Sequence, residues 1–458
     1  MRNLLRLFFV LVLNFFYLNI SFAEHVMKNV IIKHPDYGYC RVNINIVNGI
    51  INKIDIIDKQ VKDFSASKSG NNFFVTPGFV NSHLHPNQLL DRRLLDGLDT
   101  HTLLSKMHIN FDKTYEDRYM QALFVLIDAI KSGATTIYSV ASNPTPVIDA
   151  YNKIGVKGAI SCFFNDQWET QDTAPKVVDF GSIEKKFAEF ITQKTDKLDI
   201  HIGTASIRSA SNEMFMLLNN LAKKYNTKVN LHVSECEQDS ILCKKTRGLT
   251  PIRLLESLGV LNSSWNLIHT VALDEEEIKI LAKTGVSIIH CPVSNAKTAT
   301  GIAPIKEMLN AGVNITLGTD ACSNNNTNNI LNEAYFASLL HAAKNKDAQR
   351  VTTDMLWQWL TTNAYKMLGR NQAGVIKEGE QADLLMWDLN NNVFVPQVYG
   401  NFDSSIFYNA PDIKPHTVII DGEMVVENYK FIKFPELDVV DKINETGQKI
   451  YKKFFEEN

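Results

Sequence analysis

The sequence predicts an α/β fold, a (β/α)8 TIM barrel with a small β-sandwich domain built from both chain ends. Three observations predict it. The chain has 458 residues, enough for a barrel of about 250 residues plus a smaller second unit. Between Phe73 and Leu317, short apolar runs alternate with amphipathic stretches, as repeated βα units require. Both ends share a different texture, β-branched residues broken by turn signals.

Taken in order, residues 24–72 form the first part of the β domain, residues 73–372 the barrel, and residues 373–458 the second part of the β domain and a tail. In the first part, YCRVNINIVNGIINKIDII is interrupted by Asn48-Gly49, a pair suited to a two-residue hairpin because both positions tolerate positive φ. In the last part, QADLLMWDL and HTVIIDGEMVVENY repeat the pattern around Asp421-Gly422. The eight barrel strands are read as FFVTPGFV, ATTIYSV, GAISCFF, LDIHIGT, VNLHVS, NLIH, VSIIHC and NITLG, with helices such as NEMFMLLNNLAKKY and DEEEIKILAKTG between them.

Residues 1–23 carry Arg2 and Arg6, an apolar stretch from Leu7 to Leu18, and Ser21 and Ala23 at small-residue cleavage spacing. This is the layout of a secretory signal peptide cleaved after Ala23, so export is expected, without stable membrane association afterwards. The formal charge of −3, with no Lys/Arg stripe, argues against a nucleic-acid partner. The six cysteines, Cys40, Cys162, Cys236, Cys243, Cys291 and Cys322, contain no C-x-x-C pair and read as unpaired buried small hydrophobes. A homo-oligomer is compatible with the sequence.

In a TIM barrel, chemistry sits at the C-terminal ends of the strands. The first strand ends in His83-Leu84-His85, where residues at i and i+2 project to one side. The fifth ends in His232 with Glu235 three residues on, the sixth in His269, and the eighth in Gly318-Thr319-Asp320. Neutral imidazoles with one carboxylate suit a borderline divalent metal. His83, His85, His232 and Asp320 are therefore assigned as ligands of one Zn2+, with Fe2+ the alternative. Such an ion brings a water to a pKa of about 7. Glu235 and His269 are assigned to handle its proton, and Asp320 to share in that transfer. Any one of these histidines alone would be read as structural; their joint placement at four strand ends is what carries the assignment.

These segments resemble the amidohydrolase superfamily, in its branch of cytosine, guanine and adenosine-analogue deaminases and triazine hydrolases. The likeness lies in PGFVNSHLH, SGATTIY, NLHVSE, HCPVSN with GIAPI, LGTDACSNN, GVIKEGEQADLLMWDL and VIIDGEMV, which span nearly all of the chain after the leader. The resemblance implies a one-metal hydrolase that deaminates a small heterocycle. A two-metal site would need a strand-end lysine, whereas Lys185, Lys186, Lys194 and Lys197 precede the fourth strand. Where nucleoside-acting relatives carry a P-H-A-P-Y-like segment, this chain reads Gly203-Thr204-Ala205-Ser206-Ile207-Arg208, which points to a free base, pterin or triazine-like ring. Gln88, Trp168, Arg208, His290 and Asn295 are the candidate substrate contacts, and His290, Ser294 and Asn295 also stand where they could orient ligands. Two readings compete with deamination: the same site acting on another C–N or a C–Cl bond, and a non-catalytic metal-binding homologue.

Overall fold

The computed structural model describes residues 24–61, 72–94, 96–100, 102, 113–167, 178–370, 373–397 and 402–457. The leader at 1–23 and Trp168 lie outside the described residues. Strands β1 (Glu24–His34), β2 (Gly38–Val47), β3 (Ile50–Asp58) and β4 (Phe73–Pro77) come first. The barrel strands are β5 (Phe79–His85), β6 (Ala134–Ala141), β7 (Lys157–Phe163), β8 (Leu198–Ser206), β9 (Val229–Val233), β10 (Trp265–His269), β11 (Ser287–His290), β12 (Asn314–Leu317) and β13 (Asp320–Ala321). After them come β14 (Leu384–Asp388), β15 (Thr417–Ile420), β16 (Glu423–Glu427) and β17 (Lys430–Phe431).

Strands β5 to β12 pair in parallel in sequence order, and β13 then pairs in parallel with β5. Because β12 and β13 are one chain segment bent at Gly318-Thr319, this last pairing closes a ring of eight. Asn81 Nδ2 donates to Thr319 Oγ1 at 2.8 Å, and Thr319 N donates to Asn81 Oδ1 at 3.1 Å, across that seam. The helices between strands start where the sequence supplies caps. Thr114 and Asp117 form a capping box on Tyr115–Lys131, and Asp274 and Glu277 form one on Glu275–Thr284, each satisfying otherwise orphaned N–H groups.

One strand reading is corrected by the structure. FFVTPGFV is two strands rather than one: β4 belongs to the small sheet, pairing with β1 and β14, and only β5 enters the barrel. At Gly78 the chain changes partners, Gly78 N donating to Asp383 O at 2.8 Å and Phe79 N to Gly133 O at 3.0 Å.

The small sheet runs β17-β16-β15-β14-β4-β1-β2-β3, so strands from the two chain ends meet at β4 and β14. Its alternation divides two cores. Val30, Ile32, Val75, Leu384 and Ile419 pack in the sheet's own core, while Ile31, Phe74, Leu385, Trp387, Val418 and Ile420 join the main core with the barrel, as period-2 side chains must when both faces are covered. Asn48-Gly49 and Asp421-Gly422 form the expected tight turns, with φ values of 53°, 77°, 50° and 75°. Lys157, buried at the foot of β7, bonds Asp421 Oδ1 at 2.8 Å and also contacts Asp383. The tail ends in a helix, Glu436–Glu457, which returns to the barrel: Lys131 Nζ meets Glu436 at 2.9 Å and Thr446 Oγ1 donates to Asp117 at 3.1 Å. Cys40, Cys162, Cys291 and Cys322 are free and buried. Among the described residues, no helix is long and apolar enough to cross a membrane.

Candidate metal centre

The ends of β5, β9 and β13 converge at the mouth of the barrel. His83 Nε2 lies 3.1 Å from both His85 Nε2 and His232 Nε2, and His85 Nε2 lies 3.3 Å from His232 Nε2. Asp320 Oδ1 stands 3.3 Å from His83 Nε2 and 3.4 Å from His85 Nε2. Ligands held roughly 2.0–2.1 Å from a tetrahedral Zn2+ are separated by about 3.3 Å, so these spacings fit one divalent ion. All four ligand atoms lie within 4.8 Å of one another.

The donor chemistry fits as well. Burial lowers the pKa of all three imidazoles, with His85 pushed down to about 3, which keeps them in the neutral form that binds metal. For Asp320, burial acts upward, but the His83 hydrogen bond and the surrounding histidines outweigh it and hold the carboxyl well below its usual range. His232 Nδ1 bonds Ala205 O at 2.6 Å; a carbonyl can only accept, so the proton sits on Nδ1 and Nε2 is free to bind.

Local backbone geometry aims these groups. Ser234, His269, Thr270 and Asp320 adopt positive φ of 49°, 73°, 48° and 62°, a sparsely populated region for non-glycine residues that clusters at functional sites. Gly318 lets the eighth strand approach the first: a Cβ there would meet His83 Cβ at 2.6 Å and His83 N at 2.8 Å.

Around the cluster, Glu235 Oε1 lies 3.8 Å from His269 Nε2 and accepts from Thr100 Oγ1 at 3.4 Å. Burial, with Asp239 and Asp320 nearby, raises the Glu235 carboxyl above its usual range against the opposing effect of His269. His269 Nδ1 meets Asn295 Nδ2 at 3.1 Å. An amide N–H donates, so Nδ1 accepts and the ring proton is on Nε2, facing Glu235. The cavity above has a volume of about 460 Å³, and His85, His232, Glu235, His269 and Asp320 line it.

The candidate contacts separate. Gln88 lines the cavity, its amide 3.4 Å from His85 Nδ1. Asn295 acts behind the wall, through His269. Arg208 and His290, expected as substrate contacts, do not line it: Arg208 Nε faces Asp239 Oδ1 at 3.6 Å, and His290 Nε2 pairs with His341 Nε2 at 3.0 Å. His290 is two residues beyond Ile288 on the face of β11 that packs against the helices, which turns its ring away from the barrel axis. Sequence reasoning missed Asn165, whose Oδ1 takes Thr204 Oγ1 at 2.9 Å and Ala205 N at 3.0 Å, and the wall residues Asp91, Lys113 and Arg118. Asn324 was visible within LGTDACSNN; the other wall residues had no motif to mark them.

A profile of the amidohydrolase family matches residues 74–425. The 5-methylthioadenosine/S-adenosylhomocysteine deaminase of Carboxydothermus hydrogenoformans is 30% identical over 87% of this chain and 92% of its own length. The 5′-deoxyadenosine deaminase of Methanopyrus kandleri is 28% identical over 82% and 86%. Among solved structures, the zinc complex of atrazine chlorohydrolase from Arthrobacter aurescens TC1 superposes with a TM-score of 0.81 at 21% identity, covering 92% of this chain and 99% of that one.

Proposed function

Because this chain belongs to the amidohydrolase family, we propose that it is a metal-dependent hydrolase that deaminates a small aminated nitrogen heterocycle and releases ammonia. The observation that carries this reading is the placement of Glu235, 3.8 Å from His269 Nε2, beside a histidine and aspartate cluster with metal spacing. The names of the relatives favour an adenosine derivative among the heterocycles. The missing P-H-A-P-Y-like segment favours a ring without ribose.

His83, His85, His232 and Asp320 would hold the ion, for which Zn2+ is the first choice and Fe2+ the second. When bound, the ion supplies Lewis acidity and brings a water to a pKa of about 7. Glu235 accepts the proton that the attacking water loses and delivers it to the ring nitrogen next to the amine-bearing carbon. His269, its Nε2–H directed at the reaction centre by Asn295, stabilises charge on the incoming oxygen. Asp320 takes the second proton as the tetrahedral carbon collapses and passes it to the departing amine. The C–N bond breaks, ammonia leaves, and a ring carbonyl remains. A metal store would need neither Glu235 nor His269 at this position.

The two domains work as one unit in this reading, a catalytic barrel held by a β-sandwich formed from both chain ends. The enzyme acts on small molecules, without nucleic acid, after export and removal of residues 1–23; N-terminal sequencing that finds Met1 retained overturns the export. The function itself is tested by ammonia release from a panel of aminated purines, pyrimidines, pterins and triazines. Turnover that Glu235→Gln abolishes supports deamination. Product analysis showing chloride or an alkylamine instead assigns the same site to a different leaving group.

A further inference from the structure

The cavity is larger than a single ring needs. At about 460 Å³ it falls in the range of roughly 300–1,000 Å³ that accommodates drug-sized ligands. A substrate that fills it carries a substituent beyond the ring that the metal cluster addresses.

The charged groups of its wall indicate what that substituent is. Among the described residues three carboxylates line it: Asp91, Glu235 and Asp320. Asp320 faces the histidines, and Glu235 is given to proton transfer. Asp91 is matched by Lys113, whose Nζ lies 2.9 Å and 3.0 Å from its two oxygens and also reaches Asn87 O at 3.3 Å. Lys113 therefore brings no unmatched charge. The other cation among the described wall residues is Arg118, half-buried in the first turn of the helix Tyr115–Lys131. Among the described residues no carboxylate pairs with its guanidinium. An arginine at the wall of a cavity, planar and always charged, matches a carboxylate or phosphate with two parallel N–H donors.

We propose that Arg118 is a specificity-determining residue that binds an acidic substituent, carboxylate or phosphate, on the heterocycle being deaminated. This rests on the deaminase reading above and adds to it the charge of the substrate. Asn143, which lines the same cavity, is uncharged, so among the described wall residues the arginine is the group that recognises charge. Lys113 and Asp91 hold the wall without attracting an anion of their own.

The test compares three substrates that share one aminated purine nucleoside and differ at the 5′ position, ending in a carboxylate, a phosphate or a neutral carboxamide. It uses the zinc-loaded full chain and its Arg118→Met variant. In the wild type, kcat/KM for an acidic form exceeds that of the carboxamide. In Arg118→Met that advantage falls about 10- to 100-fold, the loss of a charge-assisted pair of hydrogen bonds, and the loss appears in KM for the acid. Which acid shows the larger loss identifies carboxylate or phosphate. Calorimetric binding of the deaminated acid and deaminated carboxamide supplies a reading without turnover, and wild type again prefers the acid while Arg118→Met does not. Equal kcat/KM for acid and carboxamide in both proteins, with ammonia released, overturns the role of Arg118 and leaves the deaminase reading standing. No ammonia from these three or from the panel of aminated purines, pyrimidines, pterins and triazines, with the acid product still bound through Arg118, retains the anion site and overturns the deaminase reading.

Discussion

Ser294 Oγ stands 2.5 Å from Asp320 Oδ2, on the oxygen opposite the one that faces His83 and His85. Asn324 Nδ2 reaches the same Oδ2 at 3.1 Å, so two donors fix the plane of the carboxylate and leave Oδ1 to the metal. Groups that orient metal ligands in this way contribute about 10- to 100-fold in affinity. Ser294→Ala is therefore expected to weaken zinc binding by about that factor, measured by competition with a chelating dye. Unchanged zinc affinity would remove Ser294 from the site.

Glu235 should affect turnover and not metal content. Its carboxyl is not among the four grouped ligand atoms, and its backbone N–H is held separately by Asp239 Oδ2 at 3.0 Å. Glu235→Gln keeps the shape and removes the acid. We expect one metal per chain by elemental analysis, a melting temperature close to wild type, and kcat lowered by about 10²- to 10⁴-fold, the usual contribution of a positioned acid or base. Loss of metal along with activity would instead make Glu235 a structural part of the cluster.

The Asn295–His269 contact sets a tautomer, and that can be tested by reversing it. In Asn295→Asp the partner of Nδ1 becomes an acceptor, which draws the ring proton to Nδ1 and leaves Nε2 bare where it faces Glu235. We expect kcat to fall at least about tenfold, on the scale of a misplaced proton-transfer group, with KM and metal content little changed. Asn295→Ala should cost less, because it frees the ring without imposing the wrong tautomer. Equal losses in both variants would show that Asn295 only packs.

Much of this site could be read from the sequence because its residues sit at strand ends, where period and position coincide. His83 and His85 share a face by alternation, and NLHVSE places His232 and Glu235 on one short stretch. What escaped depended on partners far away in the chain. FFVTPGFV is continuous in β-branched and aromatic residues, so the exchange of partners at Gly78, from Asp383 O to the barrel, leaves no local mark. His290 ends its strand as His269 does, yet Ile288 and His290 face the helices while the positive φ of 73° at His269 turns that residue inward. Arg208 follows its strand with no sign of Asp239 thirty-one positions later. Arg118 lies on a helix whose periodicity describes its buried face and says nothing of the cavity at its first turn.

Buried histidines away from the metal make the fold sensitive to acid. His201 Nδ1 meets Tyr138 Oη at 2.7 Å inside the barrel, and burial lowers its pKa to about 3, with lesser effects from Asp199 and nearby lysines. His341, against His290, is lowered to about 4, chiefly by burial. An unfolded histidine titrates near 6.5. Above that pH both states are neutral and folding carries no proton penalty; below it the unfolded chain takes up protons that the folded chain refuses. The stability associated with each such group is fully present above about pH 6.5 and is lost as pH falls towards its folded pKa, by up to about 1.4 kcal/mol per pH unit. Urea denaturation of the metal-free protein between pH 7.5 and 5 should show stability declining below about 6.5. His201→Gln, which keeps a polar partner for Tyr138 but cannot titrate, should reduce the acid-side slope by up to one proton. A slope identical to wild type would mean that His201 is protonated in the folded barrel and that Tyr138 accepts its hydrogen bond.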